Sequence, residues 1–463
     1  MSDDLVFLYE RSAKIYPRAV DGRFQRLRKA AVFWLLGMYY AFPWFNWDGR
    51  QMVLFDLPAR KFYVFGWVVW PQDFIFLAAF LVACALSLFF FTALAGRLWC
   101  GYACPQTVWT EVFLWIEHHT EGDRNARMRL DKEPMSWRKF RIKASKQALW
   151  IGVALWTGFT FVGFFTPIRQ LALDFPMQWD LTRWFWTLFY GAATYGNAAY
   201  LREQVCKYMC PYARFQSAML DRDSLIISYD EMRGEPRGAR RRQVPDRAQR
   251  LATGSSPSAA ELGDCIDCKA CVLVCPTGID IRKGLQYECI GCAACIDACD
   301  EVMDKVGYPR GLVRYSTENA IQGQPTHILR PRVIVYALVL LTLGASVLLG
   351  VMLKKPLIVD VIRDRGALYR FASDGQVENA YQVKLIHKRE TAAMFRLRVL
   401  TPGLELIAPA NIAVEPGEVR NVAVTLRQPE DAAKGAKDVV IEVIDLSDDS
   451  VRVQETTRFF GPT

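Results

Sequence analysis

"CIDCKACVLVCPTGIDIRKGLQYECIGCAACIDAC", residues 265–299, holds eight of the thirteen cysteines in a chain of 463 residues. They fall into two runs of C-x₂-C-x₂-C-x₃-C. A cube of iron and sulfide needs four convergent thiolates, and the x₂ spacing curls three of them around one cluster. The fourth comes from farther away; in chains with two such runs it is the last cysteine of the other run. One [4Fe–4S] cluster is thereby expected on Cys265, Cys268, Cys271 and Cys299, and a second on Cys289, Cys292, Cys295 and Cys275. Zinc also takes C-x₂-C repeats, but seldom this double run with a proline after the first. Pro276 supplies that proline, whereas Asp300 follows Cys299.

The flanks of this stretch are long apolar segments rich in Trp and Phe. The chain is 52% hydrophobic and 13% aromatic, yet 23% charged, which suits a membrane protein with sizeable water-exposed parts. Against the roughly 20 apolar residues that a bilayer crossing requires, five segments are candidate spans: 30–45, 74–95, 148–165, 184–201 and 333–353. The N-terminus lacks the pattern of a signal peptide, so it is expected to be retained and cytoplasmic. Lys and Arg number seven in residues 1–29 and nine in 96–145, against three in 46–72 and one in 166–182. Five alternating helices put every basic segment on one face, which the positive-inside rule makes cytoplasmic. The +9 net charge is then a topology signal and does not point to nucleic acid. No cysteine follows Cys299, so the presumed external tail avoids oxidation while the clustered thiols face a reducing compartment.

The expected fold is a multi-domain membrane protein. A cytoplasmic arm (1–29) leads into a membrane domain of four helices (30–222) and a basic linker (223–262) that ends in the small-residue run "ATGSSPSAAELG". A cytoplasmic α+β ferredoxin-like domain with two clusters (263–332) and a fifth helix (333–353) follow. From 357 to 463, "YQVKLIHK", "MFRLRVL", "NVAVTLRQ" and "DVVIEVID" alternate or cluster β-branched residues between Pro/Gly/Asp turns. About seven short strands in such a segment read as a periplasmic all-β immunoglobulin-like sandwich.

"CGYACP" at 100–105 and "CKYMCP" at 206–211 repeat the pattern C-x-Y-x-C-P, each just beyond a candidate span. If the backbone is helical, the i,i+4 spacing places both thiols of a pair on one face, and Pro105 and Pro211 open new helical segments. Cys100, Cys104, Cys206 and Cys210 can then form one soft-metal site, and thiolates favour Cu(I), zinc or iron–sulfur clusters. Buried structural cysteines are the plainer reading of each pair taken alone. Cys84, in the middle of a span, is read as packing. His118 and His119, read as a solvated loop, and Met209, read as packing, are further candidates to assist a metal.

The double cysteine run followed by "DEVMDKVGYPRGLVRYSTEN", with "GRLWCGYACPQTVWTEVFLWIE" and "QVCKYMCPYARFQSAMLD", resembles the CcoG family of cytochrome c oxidase accessory proteins, also called FixG or RdxA. The resemblance implies a multi-pass protein of the bacterial inner membrane that reduces Cu(II) and supplies Cu(I) for assembly of a haem–copper oxidase. Its implied partners are the bilayer, copper-handling proteins and oxidase assembly factors, with a homodimer also compatible. The chain has no nucleotide motif, so the electron donor is a soluble carrier or the quinone pool. A quinol dehydrogenase of the polyferredoxin kind and a redox-inactive assembly scaffold are the competing readings.

Overall fold

A computed structural model describes residues 14–239, 262–353, 355–364, 366–389, 391–448 and 450–462. Most of the expected linker, 240–261, therefore lies outside the described residues. The chain divides into two compact units at residues 344/345.

Helices overlap each of the five expected segments: Arg23–Ala41, Phe74–Ala95, Trp137–Val162 and Leu181–Tyr195 in the first unit, and Pro331–Met352, which runs across the division. Among the described residues, Phe74–Ala95 and Pro331–Met352 alone are long and apolar enough to cross a membrane by themselves. The reason is local. Arg23–Ala41 starts inside the expected arm and carries Arg23, Arg26, Arg28 and Lys29 in its first two turns. Trp137–Val162 opens with "WRKFRIKASK", and Leu181–Tyr195 has 15 residues before the backbone widens into the π-helix Gly196–Leu201. Gly96, at φ +56°, ends Phe74–Ala95 in a conformation that favours glycine. Arg330 Nη2 donates to Ala93 O at 2.8 Å, so the end of one apolar helix meets the start of the other.

Trp137–Val162 and Leu181–Tyr195 pack closely because Gly158 has no side chain. A Cβ there would lie 2.2 Å from Thr187 O and 2.8 Å from Gly191 N. A buried charge network joins Pro105–Glu121 to the same bundle: Glu117 pairs with Arg127 at 3.3 Å and Arg202 at 3.1 Å, and Glu121 with Lys146 at 2.6 Å. Residues 46–69, between the first two candidate spans, form a two-stranded and a three-stranded antiparallel sheet. Gln51 fastens them, donating to Gly163 O at 2.7 Å and accepting from Ile168 N at 2.8 Å.

Ile226–Tyr229, assigned to the linker, pairs antiparallel with Val313–Ser316 in the register Ile226↔Ser316. Local sequence cannot disclose a partner almost ninety residues away, so this strand went unread within the stretch taken as linker.

The second unit is a sandwich of two antiparallel sheets. One runs Glu405–Ile407, Val419–Gln428, Val377–His387, Leu357–Arg363, with Arg370–Phe371 beside Val377–His387; the other runs Ile412–Val414, Ala393–Val399, Ala436–Asp445, Arg452–Phe460. Nine described strands replace the expected seven. The additional strands are two- and three-residue pieces too short for a period to show. Val377–His387 alternates buried and partly exposed residues along most of its length, as a strand with one face on a core must. Val383, Leu385, Phe395, Leu426, Ile441 and Phe459 close that core.

Candidate metal centre

The same backbone bend occurs twice in the double cysteine run. Asp267 (φ 50°) and Lys269 (φ 58°) flank the second cysteine of the first run; Gly291 (φ 70°) and Ala293 (φ 61°) flank its counterpart. Left-handed residues between right-handed ones make the concave backbone that commonly cradles iron–sulfur centres. A helix follows each bend, Ala270–Leu273 and Ala294–Val306, and carries the third cysteine.

Two small cavities lie within these bends. Cys265, Cys268, Cys271 and Cys299 line one, beside Tyr229, Met303 and Leu312. Cys275, Cys289, Cys292 and Cys295 line the other, beside Ile227, Ile279 and Ile290, with Cys271 also at its edge. Cys275 of the first run thus lines a cavity with the second run, and Cys299 of the second run lines one with the first. Burial pushes the Cys271, Cys289 and Cys299 thiols up to about 12, so bare thiols there hold their protons. Cationic iron supplies the charge that stabilises the thiolates. Among the described residues, no three His, Cys, Asp or Glu side chains converge tightly enough for a single metal ion. Four thiols spread around an apolar cavity fit a cube of iron and sulfide better than they fit zinc.

The two C-x-Y-x-C-P repeats adopt different backbones. Cys100 sits in the short helix Leu98–Tyr102, whereas Cys206 sits in the π-helix Val205–Met209. Cys104 and Cys210 each take the extended N-cap position before Pro105 and Pro211, the first residues of Pro105–Glu121 and Pro211–Met219. Proline suits that place because its missing N–H would have had no helical partner. Neither pair therefore lies on a continuous α-turn, which corrects the i,i+4 reading. Gln106, just after the first repeat, donates from Nε2 to Asn197 O at 2.9 Å and Arg202 O at 3.0 Å, at the π-helix Gly196–Leu201 that precedes the second.

The four thiols nevertheless share one neighbourhood. Burial pushes Cys100 up to about 12, and Cys104, Cys206 and Cys210 add repulsion that Arg97 partly offsets. Cys100 Sγ donates to Gln216 Oε1 at 3.2 Å. Cys210 and the exposed Met209 line an open cleft of about 400 Å³ with Tyr208, Arg214 and Phe215.

This thiol group abuts the second cavity. Cys100 and Cys206 pack on a buried cluster that contains Val274, Ile290, Cys292 and Ala298. The approach is backbone to backbone: a Cβ on Gly101 would lie 2.6 Å from Gly291 O and 3.1 Å from Cys292 Cα. Arg97 clamps both sides. Its Nη1 donates to Cys289 O at 3.0 Å and to Tyr287 O, and its Nη2 donates to Ala213 O at 2.6 Å. Tyr315 OH donates to Gly291 O at 2.8 Å on the far side of the loop.

Sequence reading missed Arg97, Gly101, Gln106 and Gln216. Arg97 and Gly101 flank the first cysteine of "GRLWCGYACP", a signal that could have drawn attention to them. His118 and His119 lie elsewhere, in the last turn of Pro105–Glu121, about 21 Å along the helix from Cys104 at 1.5 Å per residue. Cys84 is exposed on the apolar helix Phe74–Ala95.

Gly101→Ala is expected to push the thiol segment off the cluster loop. Overpacking of this kind costs about 1–3 kcal/mol. Visible absorbance should be lost at lower urea concentration than in the wild type, with iron content unchanged under native conditions. An unchanged urea profile would show that the contact is loose.

Comparison with known proteins bears on this arrangement. The chain is 42% identical over 422 residues to the nitrogen fixation protein FixG of Rhizobium meliloti, covering 82% of this chain and 78% of that protein. It is 38% identical over 463 residues to protein RdxB of Cereibacter sphaeroides, covering 95% and 93%. The chain belongs to the FixG/RdxA family. Protein RdxA of the same organism is 36% identical over 455 residues, covering 93% of this chain and 92% of RdxA. Residues 201–318 match a family described as a 4Fe-4S dicluster domain, 77–121 a 4Fe-4S binding domain, and 347–462 an "IG-like fold at C-terminal of FixG". This FixG/RdxA-family chain is an iron–sulfur electron-transfer protein with two [4Fe–4S] clusters and an immunoglobulin-like C-terminal domain.

Proposed function

We propose that this protein is a cupric reductase of the bacterial inner membrane, passing electrons from its two clusters to Cu(II) at Cys100, Cys104, Cys206 and Cys210. The observation that carries the reading is the packing of Cys100 and Cys206 against the loop of Cys292, through the bare backbones of Gly101 and Gly291. Cys265, Cys268, Cys271 and Cys299 hold one cluster; Cys275, Cys289, Cys292 and Cys295 hold the other, nearer the thiols. When bound, each cluster stores a single electron, which matches the one-electron reduction of copper.

Copper is the substrate. Cu(II) enters at the open cleft where Cys210 and Met209 are accessible. Thiolates favour Cu(I) over Cu(II), so the site itself draws the electron toward the metal. Two of the four thiols suffice for Cu(I), which is compatible with a group that is close but not gathered about one ion. Arg97 holds the cluster loop and the second thiol segment in fixed relation through its three carbonyl contacts. The five helices cross the membrane with the cluster module in the cytoplasm and the sandwich in the periplasm. The basic segments and the meeting of Ala93 with Arg330 support that topology. The Cu(I) produced passes to copper-handling proteins that assemble a haem–copper oxidase.

The test is anaerobic. Full-length protein is reduced with dithionite, desalted and titrated with Cu(II) while visible absorbance and Cu(I) chelation are followed together. Recovery of cluster absorbance with about two Cu(I) per chain is expected, one per cluster. Clusters that stay reduced in the presence of Cu(II) would overturn the reading. One observation favours a second reading: a 4Fe-4S binding family covers Cys100 and Cys104 as well. Iron above the roughly eight atoms that two four-iron clusters contain would assign the thiol group to iron.

A further inference from the structure

A cavity of about 440 Å³, within the roughly 300–1,000 Å³ range of small-molecule sites, lies against the segments that carry Cys275 and Cys295. One wall is Val274, Pro276 and Ala294. Pro276 follows Cys275 and Ala294 precedes Cys295 in sequence, and both of those thiols line the second cluster cavity; Pro276 itself lines both cavities.

The remaining lining carries four cations, Arg18, Arg28, Lys29 and Arg127, against one carboxylate, Glu111, among apolar side chains that include Leu114 and Trp115. Arg28 and Arg127 are 5% and 4% exposed, and the Nε–H of each is buried without an acceptor among the described residues. Arg28 already spends Nη2 on Glu111 at 3.0 Å, and Arg127 spends Nη1 on Glu117 at 3.3 Å. Arg18 and Lys29 add two exposed cations that form no ion pair among the described residues. A buried donor without an acceptor is costly, and an anionic ligand removes that cost. His118 and His119 complete the rim.

We infer that this cavity binds the electron donor, a phosphate-bearing flavin of the reduced flavin mononucleotide type. The inference rests on the reductase reading and supplies what that reading lacks, a source of electrons. This excess of cations selects an anion, which a neutral quinol headgroup is not. Pyridine nucleotides are anionic but give hydride, a pair of electrons at once, whereas each cluster accepts one; flavins release electrons singly. The balance closes. One reduced flavin loses two electrons and releases its ring hydrogens to solvent as protons; each cluster gains one electron, and two Cu(II) become two Cu(I).

The probe is oxidised flavin mononucleotide added to the full-length protein in detergent, with flavin fluorescence as readout. Saturable quenching is expected, with riboflavin, which lacks the phosphate, at least tenfold weaker. Arg18→Glu/Lys29→Glu should weaken flavin mononucleotide binding at least tenfold while the iron–sulfur absorbance, the control for folding, persists. Absent quenching, equal binding of riboflavin, or indifference to the double substitution overturns the inference. So does cluster reduction by a short-chain quinol in nanodiscs together with absent flavin binding, which moves the donor to the membrane. Wild-type protein that reduces copper after dithionite but ignores the flavin overturns this inference alone and leaves the reductase reading standing.

Discussion

Cys275→Ser is expected to abolish copper reduction and to halve the iron content, from about eight atoms per chain to about four. Cys275 belongs by sequence to the first run, but it lines the cavity of Cys289, Cys292 and Cys295. A serine hydroxyl is a poorer ligand than a thiolate, so the cluster beside Gly291 should be lost while the cluster of Cys265, Cys268 and Cys271 persists. EPR of the reduced variant distinguishes the two. Because the lost cluster is the one that touches Cys100 and Cys206, no electron reaches the thiols and the rate falls to background. Loss of the other signal would show that the fourth ligands are not crossed.

Cys100→Ser/Cys104→Ser is expected to keep both clusters and to lose copper. With two of four soft ligands replaced by hydroxyls, Cu(I) affinity should fall by about 100-fold or more, near 2.8 kcal/mol. The iron–sulfur ligands lie elsewhere, so visible absorbance and iron content should match the wild type. A purely packing role predicts the reverse pattern: unaltered copper affinity and earlier unfolding. Wild-type affinity and reduction rate in this variant would remove the thiols from the mechanism, and a quinone would be the first alternative acceptor to test.

Chemistry written into local spacing was legible without coordinates. The C-x₂-C spacing constrains where three sulfurs can point, and both crossed sets appear around their cavities. Pro105 and Pro211 begin helices because a proline lacks the N–H that a first helical residue leaves unused. In the sandwich, "YQVKLIH" and "NVAVTLRQ" fall within paired strands because a two-residue period survives in any sheet with one buried face. Features that depend on distant partners were not legible. Ile226–Tyr229 has no recognisable strand context until Val313–Ser316 lies beside it. Arg97 looks like one more basic residue near a membrane end until three carbonyls converge on it. The π-helical backbone around Cys206 follows from neither propensity nor periodicity.

The meeting of Gly101 with Gly291 constrains how this protein can change over generations. Each glycine is filled from outside by the other segment's main chain, so neither can acquire a side chain unless its counterpart moves away. The thiol segment and the cluster loop must therefore drift as a pair. A graft that takes each segment from a different relative inherits a working junction only when both donors kept the same gap.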